Sequence, residues 1–199
     1  MDPFYIYYAQ MKCAYCAKAR ATHVCGQCKV MPYCSLICAK SDWAHHSKRE
    51  HSTWHSDAMS LILSGTANLW VGGIESLQHL SEHNIGAVVT ILQKDRVLED
   101  AISEFVGTRP HLRFYMFDSQ DEPIEKFFES SAKFIDRHIR AGRNVLVHCY
   151  AGISRSVTLC INYMTKKRGF ANARIALDHI RRVRPYANPN PGFIKALEL

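Results

Sequence analysis

One stretch in the second half of the chain limits the possible folds more than any other. Val145-Leu146-Val147 is a short apolar run that predicts a buried strand. A loop containing Gly152 follows, and residues 157–164 then carry the apolar spacing of a helix. A strand, a tight loop and a helix N-terminus in this order form an anion site, because backbone N–H groups and the helix dipole point at the loop.

The side chains of this loop add chemistry to the anion site. Cys149 lies where these dipoles favour the thiolate, which is the nucleophilic form of cysteine. Arg155 carries a planar guanidinium that matches two phosphate oxygens. A buried structural cysteine beside a chance arginine is the alternative interpretation. The loop is therefore predicted to hold a nucleophile and a phosphate site in one place.

The residues from His148 to Ser156, His-Cys followed by five residues and Arg-Ser, resemble the signature of the dual-specificity phosphatases. The resemblance implies that Cys149 attacks phosphorus and forms a cysteinyl-phosphate that water then hydrolyses. Ser156 is expected to donate a hydrogen bond to the thiolate, and His148 to orient the loop. The expected phosphate-binding residues, through their N–H groups and the arginine side chain, are Tyr150, Ala151, Gly152, Ile153, Ser154 and Arg155.

Asp118 is the predicted general acid that protonates the leaving group. It lies 31 residues before Cys149, after a predicted strand, as the family's general-acid aspartate does. Asp121 and Glu122 are nearby rivals for this role.

The segment 61–199 predicts an α/β fold. Strands are expected at both ends of 62–73, at 87–92 and at 112–117, with helical spacing at 75–84 and a long amphipathic helix over 124–141. Strands that alternate with helices predict a mostly parallel sheet with helices on both faces. Its functional loops should lie at the carboxyl ends of the strands. The resemblance to dual-specificity phosphatases covers this whole segment.

A cluster of cysteines predicts a second, smaller module at residues 1–52, joined by a linker at 53–60. Six of the eight cysteines fall within residues 13–38, in pairs with gaps of two or three residues. Such pairs hold tetrahedral zinc, and two structural zinc ions need eight ligands. Disulfides are the alternative, which the short gaps disfavour. The predicted ligands are Cys13, Cys16, Cys25, Cys28, Cys34, Cys38, His46 and His51.

This module resembles the MYND zinc finger, including Tyr33-Cys34 and the Asp42-Trp43-x2-His46 run. The resemblance implies interleaved pairs, with Cys13, Cys16, Cys34 and Cys38 on one zinc and Cys25, Cys28, His46 and a last residue on the other. The family's last ligand is a cysteine where Glu50 stands here, so His51 is predicted to take its place.

MYND fingers bind other proteins, so the resemblance implies a peptide partner near Trp43. Ala39 stands where many members carry a glutamine that contributes to such a groove. A tryptophan that only packs the small core is the alternative interpretation.

The charge and hydropathy of the chain exclude several classes of function. The net charge is +7, and it falls to about +5 if six thiolates bind two zinc ions. This balance suits a phosphorylated substrate, whereas the absence of a regular basic helix or basic–aromatic alternation disfavours nucleic acid. No apolar run is long enough to span a bilayer, and the N-terminus lacks the features of a signal peptide. A cytoplasmic or nuclear location is expected.

The sequence therefore predicts a protein phosphatase that acts on phosphotyrosine and phosphoserine/threonine. It is expected to need no cofactor for catalysis, because the zinc ions are structural. A lipid or RNA 5′-phosphatase on the same scaffold is one alternative. An adaptor whose zinc module brings a degenerate phosphatase domain to a partner is the other.

Overall fold

The computed structural model describes residues 16, 23–24, 32–33, 38 and 58–198. The chain divides into two compact units, Met1–Asp57 and Ala58–Leu199. The boundary falls inside the predicted linker, whose last two residues already belong to the first strand of the second unit. In the first unit, β1 (His23–Val24) pairs antiparallel with β2 (Pro32–Tyr33).

The second unit is built on a five-stranded sheet. Its strands are β3 (Met59–Leu63), β4 (Leu69–Gly72), β5 (Ile85–Leu92), β6 (His111–Tyr115) and β7 (Asn144–His148). Their order across the sheet is β3-β4-β7-β5-β6. Only the β3–β4 pair is antiparallel, and the other three pairs are parallel. The predicted mostly parallel sheet is confirmed.

Helices cover both faces of this sheet. They are a 3₁₀ helix (Ile74–His79), α1 (Arg96–Val106), a second 3₁₀ helix (Ile124–Phe127), α2 (Phe128–Arg140), α3 (Arg155–Lys167), α4 (Ala173–Arg181) and α5 (Pro191–Leu197). None of the helices in the described part of the chain is long and apolar enough to cross a membrane.

The buried side chains of the sheet alternate between two cores, as the period of two in a strand requires. Val89 and Val147 pack with α2 and α3 on one face. Val88 and Leu146 pack with α1 and the first 3₁₀ helix on the other face. This burial on both faces explains why β5 is almost wholly apolar and why β7 carries an uninterrupted apolar run between its two polar end residues.

The register of the strands brings the functional loops to one edge of the sheet. His148, the last residue of β7, is the partner of Gly72 in β4 and of Thr90 in β5. Leu92 at the end of β5 is likewise the partner of Tyr115 at the end of β6. The loop after β7 and the loop after β6 therefore leave the sheet from the same side.

Candidate active site

The loop between β7 and α3 turns at Gly152, where φ is +69°. A Cβ atom built on this residue would lie 2.5 Å from the carbonyl carbon of Gly72 and would also collide with the guanidinium of Arg184. Any side chain here would therefore clash, in addition to the strain of a left-handed backbone. Glycine is required for the loop to lie against the end of β4.

Every carbonyl group of the loop, from Cys149 to Ser154, accepts a hydrogen bond. The donors are, in chain order, His148 Nδ1 at 3.1 Å, the Ile74 amide at 2.8 Å, Arg184 Nη2 at 3.3 Å, Arg184 Nε at 2.7 Å, the Asn188 amide at 2.9 Å and the Thr158 amide at 2.9 Å. Because a trans peptide places its C=O and the next N–H on opposite sides, these bonds turn the N–H groups of residues 150–155 the other way. These are the residues predicted to bind phosphate.

The thiol of Cys149 lies within this ring of N–H groups. Its Sγ accepts hydrogen bonds from the Gly152 amide at 3.3 Å and from Ser156 Oγ at 3.2 Å. Cys149 itself is buried. Donors at the sulfur stabilise a thiolate more than a thiol, because the anion is the stronger acceptor. Ser156, which was predicted to contact the sulfur, is in position to do so.

Arg184 holds the middle of the loop, a contact that the sequence does not reveal. Its guanidinium is buried, donates to two loop carbonyls and donates to Ser60 Oγ at 3.2 Å. It also stacks on Tyr186 at 4.5 Å. The positive charge lies behind the loop, where it polarises the same peptides whose N–H groups face the phosphate side.

Asp118 lies on the loop after β6 and reaches the catalytic loop. Its Oδ1 accepts hydrogen bonds from Ser154 Oγ at 2.7 Å and from Asn190 Nδ2 at 2.8 Å. The backbone N–H of Asn190 also donates to Ser154 Oγ at 3.1 Å, so Asp118, Ser154 and Asn190 form a closed ring of hydrogen bonds. Two donors on Oδ1 leave Oδ2 as the oxygen that can carry a proton.

Arg155 connects the two loops. It is buried, its Nη1 donates to the Met116 carbonyl at 2.9 Å, and its Nε lies 3.5 Å from Asp118 Oδ2. The aspartate and the predicted phosphate-binding arginine are thus neighbours, although 37 residues separate them in sequence. Of the two rivals for the acid, Asp121 is exposed and Glu122 is half-buried.

His148 is fully buried behind the loop and is held neutral. Burial lowers the pKa of its imidazole to about 4, and the nearby His111 and Arg155 act in the same direction. Its Nε2 lies 2.7 Å from Thr90 Oγ1. A neutral ring supplies no second positive charge to the site, and the contact of His148 Nδ1 with the Cys149 carbonyl is the one that the predicted role in orienting the loop requires.

Cys160, the other cysteine of this unit, lies in α3 and is part of the hydrophobic core. It is fully buried, and burial raises the pKa of its thiol. This thiol is therefore protonated at neutral pH and packs as an apolar group.

The predicted zinc ligands fall mostly outside the described residues. Cys16 and Cys38 are described, and both are half-buried. Cys13, Cys25, Cys28, Cys34, His46 and His51 lie outside them, as do Trp43, Ala39 and Glu50. In the sequence, β1 directly precedes the Cys25/Cys28 pair and β2 follows it. The donor set itself, six thiols and two imidazoles, is of the type that structural zinc prefers.

A thiol at the centre of an N–H-lined anion loop, on a sheet with this strand order, defines a cysteine-dependent phosphatase. Comparison with known families agrees: residues 69–199 match the dual specificity phosphatase catalytic domain, and residues 13–49 match the MYND finger. The chain therefore belongs to the dual specificity phosphatase family, with a MYND finger before the catalytic domain.

Relatives and solved structures support the same assignment. Dual specificity protein phosphatase 1 of Arabidopsis thaliana is 46% identical over 144 residues, which cover 70% of this chain and 67% of the relative. Dual specificity protein phosphatase 15 of Rattus norvegicus is 43% identical over 71% of this chain and 57% of its own length. The crystal structure of DUSP15 superposes with a TM-score of 0.61 at 33% identity, covering 70% of this chain and 85% of that one.

Proposed function

We propose that this chain hydrolyses phosphotyrosine and phosphoserine/threonine in proteins, with Cys149 as nucleophile and Asp118 as general acid. The orientation of the loop is the observation that carries the proposal, because its carbonyls all accept hydrogen bonds from outside the phosphate side and its Gly152 N–H donates to the sulfur. The names of the relatives, dual specificity protein phosphatases, support proteins as the substrates.

In the first step the Cys149 thiolate attacks phosphorus in line, a P–S bond forms and the bond to the leaving oxygen breaks. The N–H groups of the loop and the guanidinium of Arg155 hold the three other oxygens of phosphorus, where charge accumulates. Asp118 gives the proton on its Oδ2 to the leaving oxygen, which would otherwise depart as a poor anion.

In the second step water attacks phosphorus and the P–S bond breaks. Asp118, now a carboxylate, accepts a proton from the water. The thiolate must leave, and the hydroxyl of Ser156, 3.2 Å from Sγ, stabilises its negative charge. The products are inorganic phosphate and the enzyme in its starting form.

The composition of the loop favours a protein over an inositol lipid. Phosphoinositide phosphatases of this superfamily usually carry lysines in the loop, whereas Tyr150, Ala151 and Ile153 stand here. The adaptor alternative requires a site that has lost its chemistry. Against it, Cys149, Arg155 and Asp118 are all present. Cys149 and Asp118 accept hydrogen bonds from the loop, and Arg155 lies 3.5 Å from Asp118.

The MYND finger implies structural zinc. We propose two zinc ions, bound by the eight ligands predicted above with His51 as the last, and a protein or peptide partner near Trp43. The chemistry described above needs no metal, so the finger would recruit a substrate or regulator and take no part in the reaction. A cytoplasmic or nuclear location would keep the thiols reduced for both tasks.

The test is turnover of p-nitrophenyl phosphate, a phosphotyrosine peptide and a phosphothreonine peptide by Cys149→Ser. A serine hydroxyl stays protonated in this loop, so we expect no measurable turnover of any of the three. Cys160→Ala is the matched control, because it removes the other thiol of the domain without touching the loop, and it should keep its activity. Vanadate should inhibit the unmodified protein.

Turnover that survives in Cys149→Ser, or that requires added metal, would rule out the cysteine mechanism. Turnover of lipid or RNA 5′-phosphate substrates far above both peptides would replace the substrate class. Failure of the unmodified protein to turn over any of these substrates, with phosphopeptide binding retained, would favour the adaptor.

A further inference from the structure

We infer that Thr90, His111 and Arg113 form a directed chain of hydrogen bonds that fixes the tautomer of His148 and so positions the first peptide of the catalytic loop. The chain crosses three neighbouring strands of the sheet. Arg113 Nε donates to His111 Nδ1 at 3.0 Å, and His111 Nε2 lies 2.8 Å from Thr90 Oγ1. Thr90 Oγ1 lies 2.7 Å from His148 Nε2, and His148 Nδ1 contacts the Cys149 carbonyl at 3.1 Å.

The two ends of the chain determine the direction of every bond in it. A carbonyl only accepts, so the Nδ1 of His148 must carry a proton. A guanidinium only donates, so the Nδ1 of His111 must be bare. With neutral rings, His111 therefore carries its proton on Nε2 and donates to Thr90. The hydroxyl of Thr90 then donates to the bare Nε2 of His148, and each group makes one bond in each role.

Neutral rings are what this environment imposes. Burial, followed by the charge of Arg113, lowers the pKa of His111 to about 4, and burial lowers that of His148 to a similar value. A proton added to His148 would go on Nε2, which would place two N–H groups against the one oxygen of Thr90 and leave its hydroxyl hydrogen without an acceptor. A proton added to His111 would go on Nδ1, where it would face the Nε–H of Arg113. The other ionisable groups beside the chain are Arg155 from α3, which acts on His148, and Tyr115 of β6, which contacts both Arg113 and Glu99 of α1.

The register explains why these side chains meet. Thr90 is the backbone partner of His148 on one side and of Arg113 on the other. His111 and Arg113 are two residues apart in β6, so both point to the same face of the sheet as Thr90. Arg113 also donates through Nη2 to Ser103 Oγ in α1 at 2.9 Å, which anchors the outer end of the chain.

The consequence for the catalytic loop follows from peptide geometry. The bond from His148 Nδ1 holds the Cys149 carbonyl outward, and the N–H of Tyr150 in the same peptide then faces the phosphate side. The opposite tautomer would place a bare nitrogen against the carbonyl oxygen, and the two would repel. Thr90, His111 and Arg113 touch neither substrate nor sulfur, so they are positioning residues.

Nitrogen NMR of the unmodified protein, labelled with ¹⁵N-histidine, tests the tautomers directly. We expect the proton of His148 on Nδ1 and that of His111 on Nε2, because bare and protonated ring nitrogens have well-separated shifts. His111→Phe assigns its own signals, and His138→Phe is the matched control, since that buried ring also neighbours an arginine, Arg143, but lies outside the chain. The opposite tautomer at either His148 or His111 would overturn the proposal.

A second experiment measures the effect on the cysteine through the pH dependence of alkylation of Cys149 by iodoacetate. Thr90→Val is nearly isosteric and breaks the chain, and on the acidic limb of the profile it should react about tenfold more slowly, equivalent to a shift of that limb by about one unit. Thr90→Ser keeps the hydroxyl and should restore the rate to within about twofold of the unmodified protein. Alkylation of Cys149 needs no turnover, so this experiment gives a result whether or not the protein hydrolyses phosphoesters. The proposed function and this inference can therefore be contradicted independently of each other.

Two results would contradict the chain as a positioning device. One is an alkylation profile of Thr90→Val that coincides with that of the unmodified protein. The other is a profile of Thr90→Ser shifted as far as that of Thr90→Val, since packing and not the hydroxyl would then be responsible. If Thr90→Val does not fold, Arg113→Met takes its place in the experiment. Arg113 is only half-buried, and the substitution removes just the donor at the outer end of the chain.

Discussion

At the scale of single residues, Asp118 shows how the structure sharpens a role that the sequence can only suggest. Its Oδ1 is occupied by Ser154 and Asn190, and its Oδ2 faces Arg155. The carboxyl group is thus fixed in orientation, with Oδ2 as the oxygen nearest the predicted phosphate-binding arginine. In the proposed role of general acid, Asp118 would need no change of geometry when the substrate arrives.

Asp118→Asn should slow hydrolysis of a phosphotyrosine peptide about a hundredfold or more, because an amide cannot donate the proton that the leaving phenolate needs. The loss should shrink for an aryl phosphate whose leaving group is already a weak base. Steady-state rates across a series of leaving groups measure this difference. Asp121→Asn, at an exposed position of the same loop, is the control and should behave as the unmodified protein. Equal losses for good and poor leaving groups would transfer the role elsewhere.

The buried neutral imidazole of His148 makes the stability of the domain depend on pH. Its folded pKa, about 4, lies below the usual value near 6.5, so between these values the unfolded chain binds more protons than the folded one. Stability therefore falls as the pH drops through this window, by about 2 kcal/mol between pH 7 and pH 5 for this one group. Urea unfolding at the two pH values measures it.

The matched variant is His148→Asn, which removes the titrating group. Its stability should fall less between pH 7 and pH 5 than that of the unmodified domain. Equal falls in the two proteins would mean that other groups, among them His111 with its similarly lowered pKa, account for the whole dependence.

At the scale of elements, the segment that follows α4 shapes the catalytic loop from outside. Arg184 donates to the Gly152 and Ala151 carbonyls, and the Asn188 amide donates to the Ile153 carbonyl. Three consecutive peptides of the loop are thus oriented by one segment more than thirty residues further along the chain. The N–H groups of the loop would lose their common direction without it.

Arg184→Met keeps most of the volume of the side chain and removes its donors. Hydrogen bonds from charged groups contribute about 1.5–3 kcal/mol each, so we expect vanadate to bind about ten- to a hundredfold more weakly. The inhibition constant for vanadate measures this loss. Arg182→Met changes an exposed arginine of the same segment and should leave the constant unchanged. An unchanged inhibition constant in Arg184→Met would show that the loop keeps its shape without the hydrogen bonds from Arg184 to the Ala151 and Gly152 carbonyls.

The elements that the sequence predicts well are those with a strong period or a motif. The apolar runs of β5 and β7 and the amphipathic face of α2 are visible because burial alone determines them. α1, α4 and α5 were not predicted. The spacing at 75–84 gives only a 3₁₀ helix at Ile74–His79, which is followed by turns that end at Asn84, where φ is +51°.

The residues of the candidate site also fall into two groups, those that the sequence predicts and those that it does not. Cys149, Arg155 and Ser156 lie in one continuous motif, and Asp118 follows a strand at a family spacing, so local sequence is enough to predict them. Thr90, His111, Arg184 and Asn190 act through partners between 21 and 124 residues away, among them His111 for Thr90 and Ser60 for Arg184. Their role depends on strand order and register, and a single sequence carries no local signal for either.

At the scale of the whole molecule, the zinc finger and the catalytic domain are separate compact units, so a variant that loses zinc from the finger should keep its phosphatase activity. His51→Ala should lower the zinc content from two ions per chain towards one, because a tetrahedral site loses its last ligand. Metal analysis of the purified protein measures this content. Turnover of p-nitrophenyl phosphate by the variant should be unchanged, since all the groups proposed for catalysis lie in the unit Ala58–Leu199.

His55→Ala is a useful comparison, because it removes another histidine near the end of the finger. It should retain two zinc ions per chain. A ratio of two in His51→Ala would show that a different residue, such as Glu50, His45 or His55, closes the site.

The hydrogen bonds of Arg184 also determine when, during synthesis, the thiol of Cys149 becomes reactive. The bond from Arg184 to Ser60 joins residues 124 apart, and the loop that they enclose contains Cys149 and Arg155. A ribosome that has released the motif but not yet the segment around Arg184 would therefore carry a cysteine whose surrounding peptides are not yet aligned. Truncated and nascent chains would be poor nucleophiles, so the cell would meet the activated thiol only in chains whose sheet and closing segment have already assembled.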